Sequence, residues 1–321
     1  MAKLIDETAR GVYAISATPF ADDGRLDLDS TARMVEFYLD CGVTGLTILG
    51  IMGEAPKLAP EESVAFTKRV LEVTKDSIPV VVGVSGPAFD PMKALTQQVM
   101  DLGAAGVMVA PMGGLNTDDK IENYYHQVCR LLGDTPVVLQ DYPQTTGVHF
   151  SVPVLTRLFA ALPSLKMLKH EDWPGLRKLT QFRAAEAGGA HRRISILVGN
   201  GGLFLPLELA RGADGAMTGF AFPEMLVEVC DLHAAGKADA AEDLFDAYLP
   251  LVRNEQQMGI GLAIRKETLR RRGVIASAAT RAPGPKMDRD DHADLTRLLA
   301  RLEKSLASLG WRTDFYPAAA A

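Results

Sequence analysis

Lys169 ends the stretch Leu165-Lys166-Met167-Leu168-Lys169, in which apolar residues alternate with two lysines. Read as a strand, it places Lys169 on the same face as Met167 and Leu165. An ammonium carried into an enclosed mouth is desolvated, which favours the neutral amine, a nucleophile toward carbonyl carbon. A lysine that points to water or pairs with Glu171 fits the same position. His170 is a second titratable neighbour near neutral pH, but its parity points it away from the face of Lys169.

Two glycine-rich segments offer different chemistry. In Gly50-Ile51-Met52-Gly53-Glu54 the glycines let backbone N–H groups converge on an anion such as a carboxylate, although an ordinary turn from strand to helix explains the same residues. Gly199-Asn200-Gly201-Gly202 leaves space above a strand end and lacks the G-x-G-x-x-G spacing of a phosphate or nicotinamide cradle. Cys41, Cys129 and Cys230 are widely spaced and show no Cys/His ligand pattern, so they read as buried free thiols of a reducing compartment. No structural zinc or other metal is expected.

The elements that would position these groups show themselves by repetition. Gly42-Val43-Thr44-Gly45, Gly103-Ala104-Ala105-Gly106 and Gly212-Ala213-Asp214-Gly215 each precede an apolar run. Each fits a helix stopped by a left-handed glycine, a tight turn and a strand. With VYAISATPF, PVVVGVS, PVVLQDY, LKMLK and ISILVGN, the apolar runs number eight. They are continuous, as suits parallel strands covered on both faces. Helical patterns lie between them at Ser30–Leu39, Glu61–Val73, Pro91–Leu102, Lys120–Leu132, Val152–Leu162 and Pro174–Glu186. Eight alternating units predict a (β/α)8 TIM barrel over residues 1–222, where a doubly wound sheet has fewer strands. A helical region without strands follows at 223–310, with a frayed tail at 311–321. Reacting groups of such barrels lie at the carboxyl ends of the strands, which here carry Thr18, Gly50 to Glu54, Gln140 to Pro143, Lys169 to Asp172 and Gly199 to Gly202.

The 321 residues are 47% hydrophobic with a net charge of −6, a profile that excludes disorder and argues against nucleic acid as a partner. The one dense basic run, Arg265 to Arg272, reads as the solvated face of a helix. No stretch approaches the roughly 20 apolar residues of a membrane span, and the start lacks an apolar signal core, so a cytoplasmic protein with no membrane partner is expected.

Taken in order, several motifs resemble the dihydrodipicolinate synthase and N-acetylneuraminate lyase family. They are Gly11-Val12, Ala17-Thr18-Pro19-Phe20, Gly50 to Glu54 (often Gly-Thr-Thr-Gly-Glu in the family), Pro143 to Gly147, Leu168-Lys169, Gly199-Asn200-Gly201, and Lys266-Glu267-Thr268-Leu269 leading to Arg272-Gly273. The resemblance implies a barrel, a Schiff base between Lys169 and pyruvate or a larger 2-oxo acid, and an enamine route that needs no cofactor. It also implies substrate contacts from Thr18, Gly50, Ile51, Met52, Gly199 and Asn200, and a homotetramer built as a dimer of dimers.

The departures from the family bear on the reaction. Ile51 and Met52 stand where the family has two hydroxyl residues, leaving only backbone N–H groups. Gln140-Asp141-Tyr142-Pro143 replaces Tyr-Asn-x-Pro, so the family's proton-carrying tyrosine becomes Gln140. Tyr142 supplies a phenol one layer higher if the strand persists, or else packs against the proline turn. Thr145 replaces an arginine that holds a second carboxylate, and Met112-Gly113 replaces a tyrosine. These changes predict a Schiff-base lyase, aldolase or hydro-lyase, that is not an efficient dihydrodipicolinate synthase. Ile51, Met52 and Met112 suggest an apolar pocket for an aromatic or aliphatic aldehyde. A dehydratase or aldolase of a 2-oxo-3-deoxy sugar acid, and a barrel retained for binding or regulation, are the alternatives.

Overall fold

A computed structural model describes residues 3–173 and 175–311. Pro174 and the predicted tail from 312 onward lie outside the described residues. The strands are β1 (Gly11–Ile15), β2 (Gly45–Ile48), β3 (Val80–Gly83), β4 (Gly106–Val109), β5 (Val137–Asp141), β6 (Leu165–His170), β7 (Ser195–Val198) and β8 (Gly215–Thr218). Each pairs in parallel with the next, and β8 pairs with β1, so the sheet closes. Among the described residues no helix is long and apolar enough to cross a membrane.

Continuous apolar runs form these strands because both faces are covered. One alternate set, including Tyr13, Val81, Met108, Val138, Met167 and Leu197, fills the barrel interior. The other, including Val12, Val82, Val107, Leu139, Leu168 and Ile196, packs beneath the surrounding helices. β6 breaks the simple parity. Its pairing with β5 shifts register between Val137 and Val138, so Leu165 opposes Val137 whereas Met167 opposes Val138. The irregularity puts Leu165 in the outer layer and Met167 in the inner one, correcting the expectation that both share the face of Lys169.

Helices follow the strands close to their predicted places, for example Leu28–Asp40, Pro60–Thr74 and Asp118–Leu132. Gly42, Gly103 and Gly212 after three of the helices have φ of 77°, 106° and 90°, the left-handed geometry expected of them. The second glycine of each phrase, Gly45, Gly106 or Gly215, opens β2, β4 or β8. A Cβ at Gly215 would collide with the Gly11 backbone where the barrel closes.

The helix Pro223–Ala234 follows β8 and packs on β1, completing the outer ring. Beyond it run Ala238–Glu255, Gly261–Arg271 and Arg289–Leu309. The basic run does not lie on a solvated face throughout. Arg265 and Lys266 are buried, each held by a carboxylate distant in sequence or across a loop, while Arg270 and Arg271 pair with Glu267 at the surface.

Gly215→Ala combines a disfavoured φ, about 1 kcal/mol, with a backbone collision worth roughly 1–3 kcal/mol. Gly212→Ala meets only ordinary contacts and incurs the first penalty alone. Urea unfolding of both variants should therefore rank Gly215→Ala well below Gly212→Ala, and equal losses would contradict this account of barrel closure.

Candidate active site

A cavity of about 200 Å³ opens at the carboxyl ends of the strands, and Ile51, Met52, Gln140, Tyr142, Lys169 and Asn200 line it. Lys169 is in register with Gln140 on β5, so the two side chains enter in one layer. Lys169 Nζ lies 2.8 Å from Glu171 Oε2, and each residue is only 5% exposed. The ion pair that would make Lys169 a structural lysine and the enclosed placement that would make it a reactive one are thus found together.

Glu171 does more than pair with Lys169. It also accepts a 2.7 Å bond from Gln140 Nε2, and its backbone carbonyl accepts one of 3.1 Å from Asn200 Nδ2. The Asn200 amide donates to its Oε1 at 3.4 Å. Gly199 lies behind this carboxylate, where any Cβ would strike it. Gly199 and Asn200 therefore position the acid, and Gln140, unable to carry a proton as a phenol does, orients it.

Tyr142 follows the last residue of β5 and still lines the cavity, half-buried. Burial raises its phenol above the ordinary value and Glu171 raises it further; Thr145 and Arg265 oppose. The shift favours the neutral phenol over the phenolate.

The segment from Gly50 forms a 3₁₀ turn, Ile51–Gly53. The amides of Gly53 and Glu54 donate to the carbonyls of Gly50 and Ile51, while those of Ile51 and Met52 are the leading donors that a helical start leaves without intrahelical acceptors. Thr18 and Gly50 stand behind the lining. Thr18 is fully buried and its hydroxyl donates to the Gly53 carbonyl at 2.6 Å, so it braces the turn. Glu54 is held by Lys266 at 2.7 Å and Lys57 at 2.9 Å, tying the turn to the C-terminal helices.

The pocket combines the apolar Ile51 and Met52 expected of it with polar and charged groups. Met112 is 41% exposed and outside the lining, whereas Thr145, Thr218, Glu255, Gln256 and Arg265 belong to it. Most of these come from beyond β8, from helices whose local patterns carry no sign that they fold over the mouth.

His170 points outward as its parity requires. Its Nδ1 is 3.7 Å from Asp141 Oδ2 and its Nε2 3.0 Å from the Gly175 carbonyl. Burial pulls its pKa down, but Asp141 and the Gly175 carbonyl outweigh that and leave it raised. Glu208 is buried in the helix Leu205–Leu209. Burial pushes its carboxyl up to about 7, with His170 lowering it and Glu171 raising it.

A closed parallel barrel with ionisable groups gathered at the carboxyl ends of its strands is the architecture of the (β/α)8-barrel enzymes. Within that class, the chain belongs to the dihydrodipicolinate synthetase family, whose model matches residues 8–302. It is 31% identical over 302 residues to an L-2-keto-3-deoxyarabonate dehydratase from Azospirillum brasilense, covering 92% of this chain and 94% of that one. A crystal structure of dihydrodipicolinate synthase from Rhodopseudomonas palustris is 47% identical with TM-score 0.92, over 94% of this chain and 100% of that one. YagE, a prophage protein of this family from E. coli K12 crystallised in complex with pyruvate, is 25% identical with TM-score 0.82, over 92% and 98% of the two chains.

Glu208 gives a stability prediction. Its carboxyl binds a proton more tightly folded than unfolded, so between about pH 4.5 and 7 the native state holds more protons and stability falls as pH rises. The loss approaches roughly 3 kcal/mol by pH 8. Glu208→Gln should flatten that decline in urea melts taken from pH 5 to 8; an unchanged slope would contradict the buried-acid assignment.

Proposed function

We propose that this chain is a Schiff-base hydro-lyase that removes water from a 2-oxo-3-deoxy sugar acid, with Lys169 as nucleophile and Glu171 as acid and base. The observation that carries the reading is the enclosed Lys169–Glu171 pair, 2.8 Å apart in a cavity that Gln140, Tyr142, Thr145 and Asn200 also line. Its similarity to an L-2-keto-3-deoxyarabonate dehydratase favours dehydration over condensation with an aldehyde.

Glu171 accepts the ammonium proton, and the freed amine of Lys169 adds to C2 of the 2-oxo acid. Glu171 returns that proton to the C2 oxygen, which leaves as water and gives a protonated imine, and the amides of Ile51 and Met52 hold the C1 carboxylate. The imine acidifies C3. Glu171 removes a C3 proton, and the resulting enamine expels the hydroxyl on C4, which leaves as water with a proton from Tyr142. The C3=C4 double bond forms as the C4–O bond breaks. Glu171 passes the C3 proton on to the Tyr142 phenolate, which restores both groups; hydrolysis of the imine returns Lys169 as the ammonium and consumes the water lost in forming it, so the net change is loss of one water.

Borohydride with pyruvate should add one covalent adduct at Lys169, visible by intact mass, and Lys169→Ala should abolish it while the barrel stays folded. Absence of an adduct with any 2-oxo acid would favour a barrel kept for binding. A positioned acid contributes about 10²–10⁴-fold to proton transfer. Tyr142→Phe should lower turnover by that order and leave trapping intact; unchanged turnover would move the proton transfer to another group.

A further inference from the structure

Arg265 is among the cavity residues to which the imine chemistry gives no task. Arg265, on the helix Gly261–Arg271, is 1% exposed and lines the cavity together with Lys169. Its Nε donates to Glu255 Oε1 at 2.5 Å, and its Nη2 donates to the Gly219 carbonyl at 2.5 Å. Nη1 is buried and has no hydrogen-bond partner among the described residues. Gly219 is itself in the lining, and a Cβ there would collide with Nη1, so the absence of a side chain is what lets this nitrogen sit where it does.

A guanidinium built into a cavity with two of its three nitrogens anchored and the third unsatisfied is a donor awaiting an acceptor, because a buried donor left unpaired is unfavourable. The acceptor can be specified further. Glu255 is 4% exposed and already neutralises the guanidinium, while its other oxygen accepts from the Ala221 amide at 3.1 Å. A second carboxylate on the same cation would face Glu255 in a low-dielectric site, where like charges repel strongly. A neutral oxygen brings no such repulsion.

We propose that Arg265 is a specificity-determining residue whose Nη1 donates a hydrogen bond to a hydroxyl at the distal end of the substrate, selecting hydroxylated 2-oxo acids over those ending in a methyl group or a carboxylate. The inference rests on the Schiff-base reading of Lys169, which places C2 of the substrate at another group of the same cavity. It also replaces the missing cation at Thr145 with one from another element, directed at different chemistry.

The test compares kcat/KM for a 2-oxo-3-deoxypentonate, its 5-deoxy analogue and the corresponding acid with a terminal carboxylate, on the wild type and on R265K. The lysine keeps a charge for Glu255 and removes Nη1. If R265K does not fold, R265Q/E255Q removes both buried charges together and gives the same readout. A bond to a charged donor predicts a wild-type preference for the hydroxylated acid of about tenfold to a hundredfold over the deoxy analogue. The variant should bring that ratio close to one, chiefly through KM. An unchanged ratio in the folded variant, or a wild-type preference for the terminal carboxylate, overturns the proposal. Borohydride trapping of pyruvate on the wild-type protein is run alongside: failure there overturns the imine reading and the proposal with it, whereas trapping without discrimination overturns the role of Arg265 alone.

Discussion

An ammonium and a carboxylate 2.8 Å apart, each 5% exposed, set the terms for the rest of this molecule. Removing two charges from water is unfavourable, and their attraction offsets the loss only when the geometry is good and the remaining lone pairs are satisfied. The barrel meets those conditions with specific residues. Register with Gln140 fixes the layer of Lys169, Gln140 and Asn200 hydrogen-bond Glu171, and Gly199 leaves the carboxylate room. Removing one member of such a pair typically costs about 3–5 kcal/mol, so the pair also ties site integrity to fold stability.

The C-terminal helices belong to this arrangement and are more than an appendage. Lys266, fully buried, reaches Glu54 behind the 3₁₀ turn, and Arg281 donates its backbone amide to the same carboxylate at 3.0 Å. Arg265 and Glu255 form a second buried pair at the cavity wall. The Lys266–Glu54 pair therefore binds the late helices to the 3₁₀ turn, while the Arg265–Glu255 pair, which lies within the late helices, reaches the end of β8 through the Gly219 carbonyl and the Ala221 amide.

What could be read in the sequence was whatever depends on nearby residues. The eight strands and their helices follow from apolar runs and glycine stops, and Lys169 and Gln140 follow from strand ends. The face of Leu165 could not be read, because the irregularity in β6 exists only relative to β5. The charged part of the pocket wall could not be read for a related reason: Arg265 sits in a basic run that resembles a solvated face, and its partners, Glu255 and the Gly219 carbonyl, meet it only in the folded chain. Glu171 had a local signal that was underused, since it lies two residues after Lys169 and alternation carries both side chains to one face.

The central claim is that Lys169 forms an imine whose C3 protons Glu171 can remove. Proton NMR of pyruvate in D₂O tests it directly, because only an imine that passes to its enamine exchanges the methyl protons for deuterium at the protein. The wild-type protein should catalyse that exchange, Lys169→Ala should show none, and Glu171→Gln should slow it by about 10²-fold or more. Exchange that persists in Lys169→Ala, or that is as fast in Glu171→Gln as in the wild type, would contradict the account.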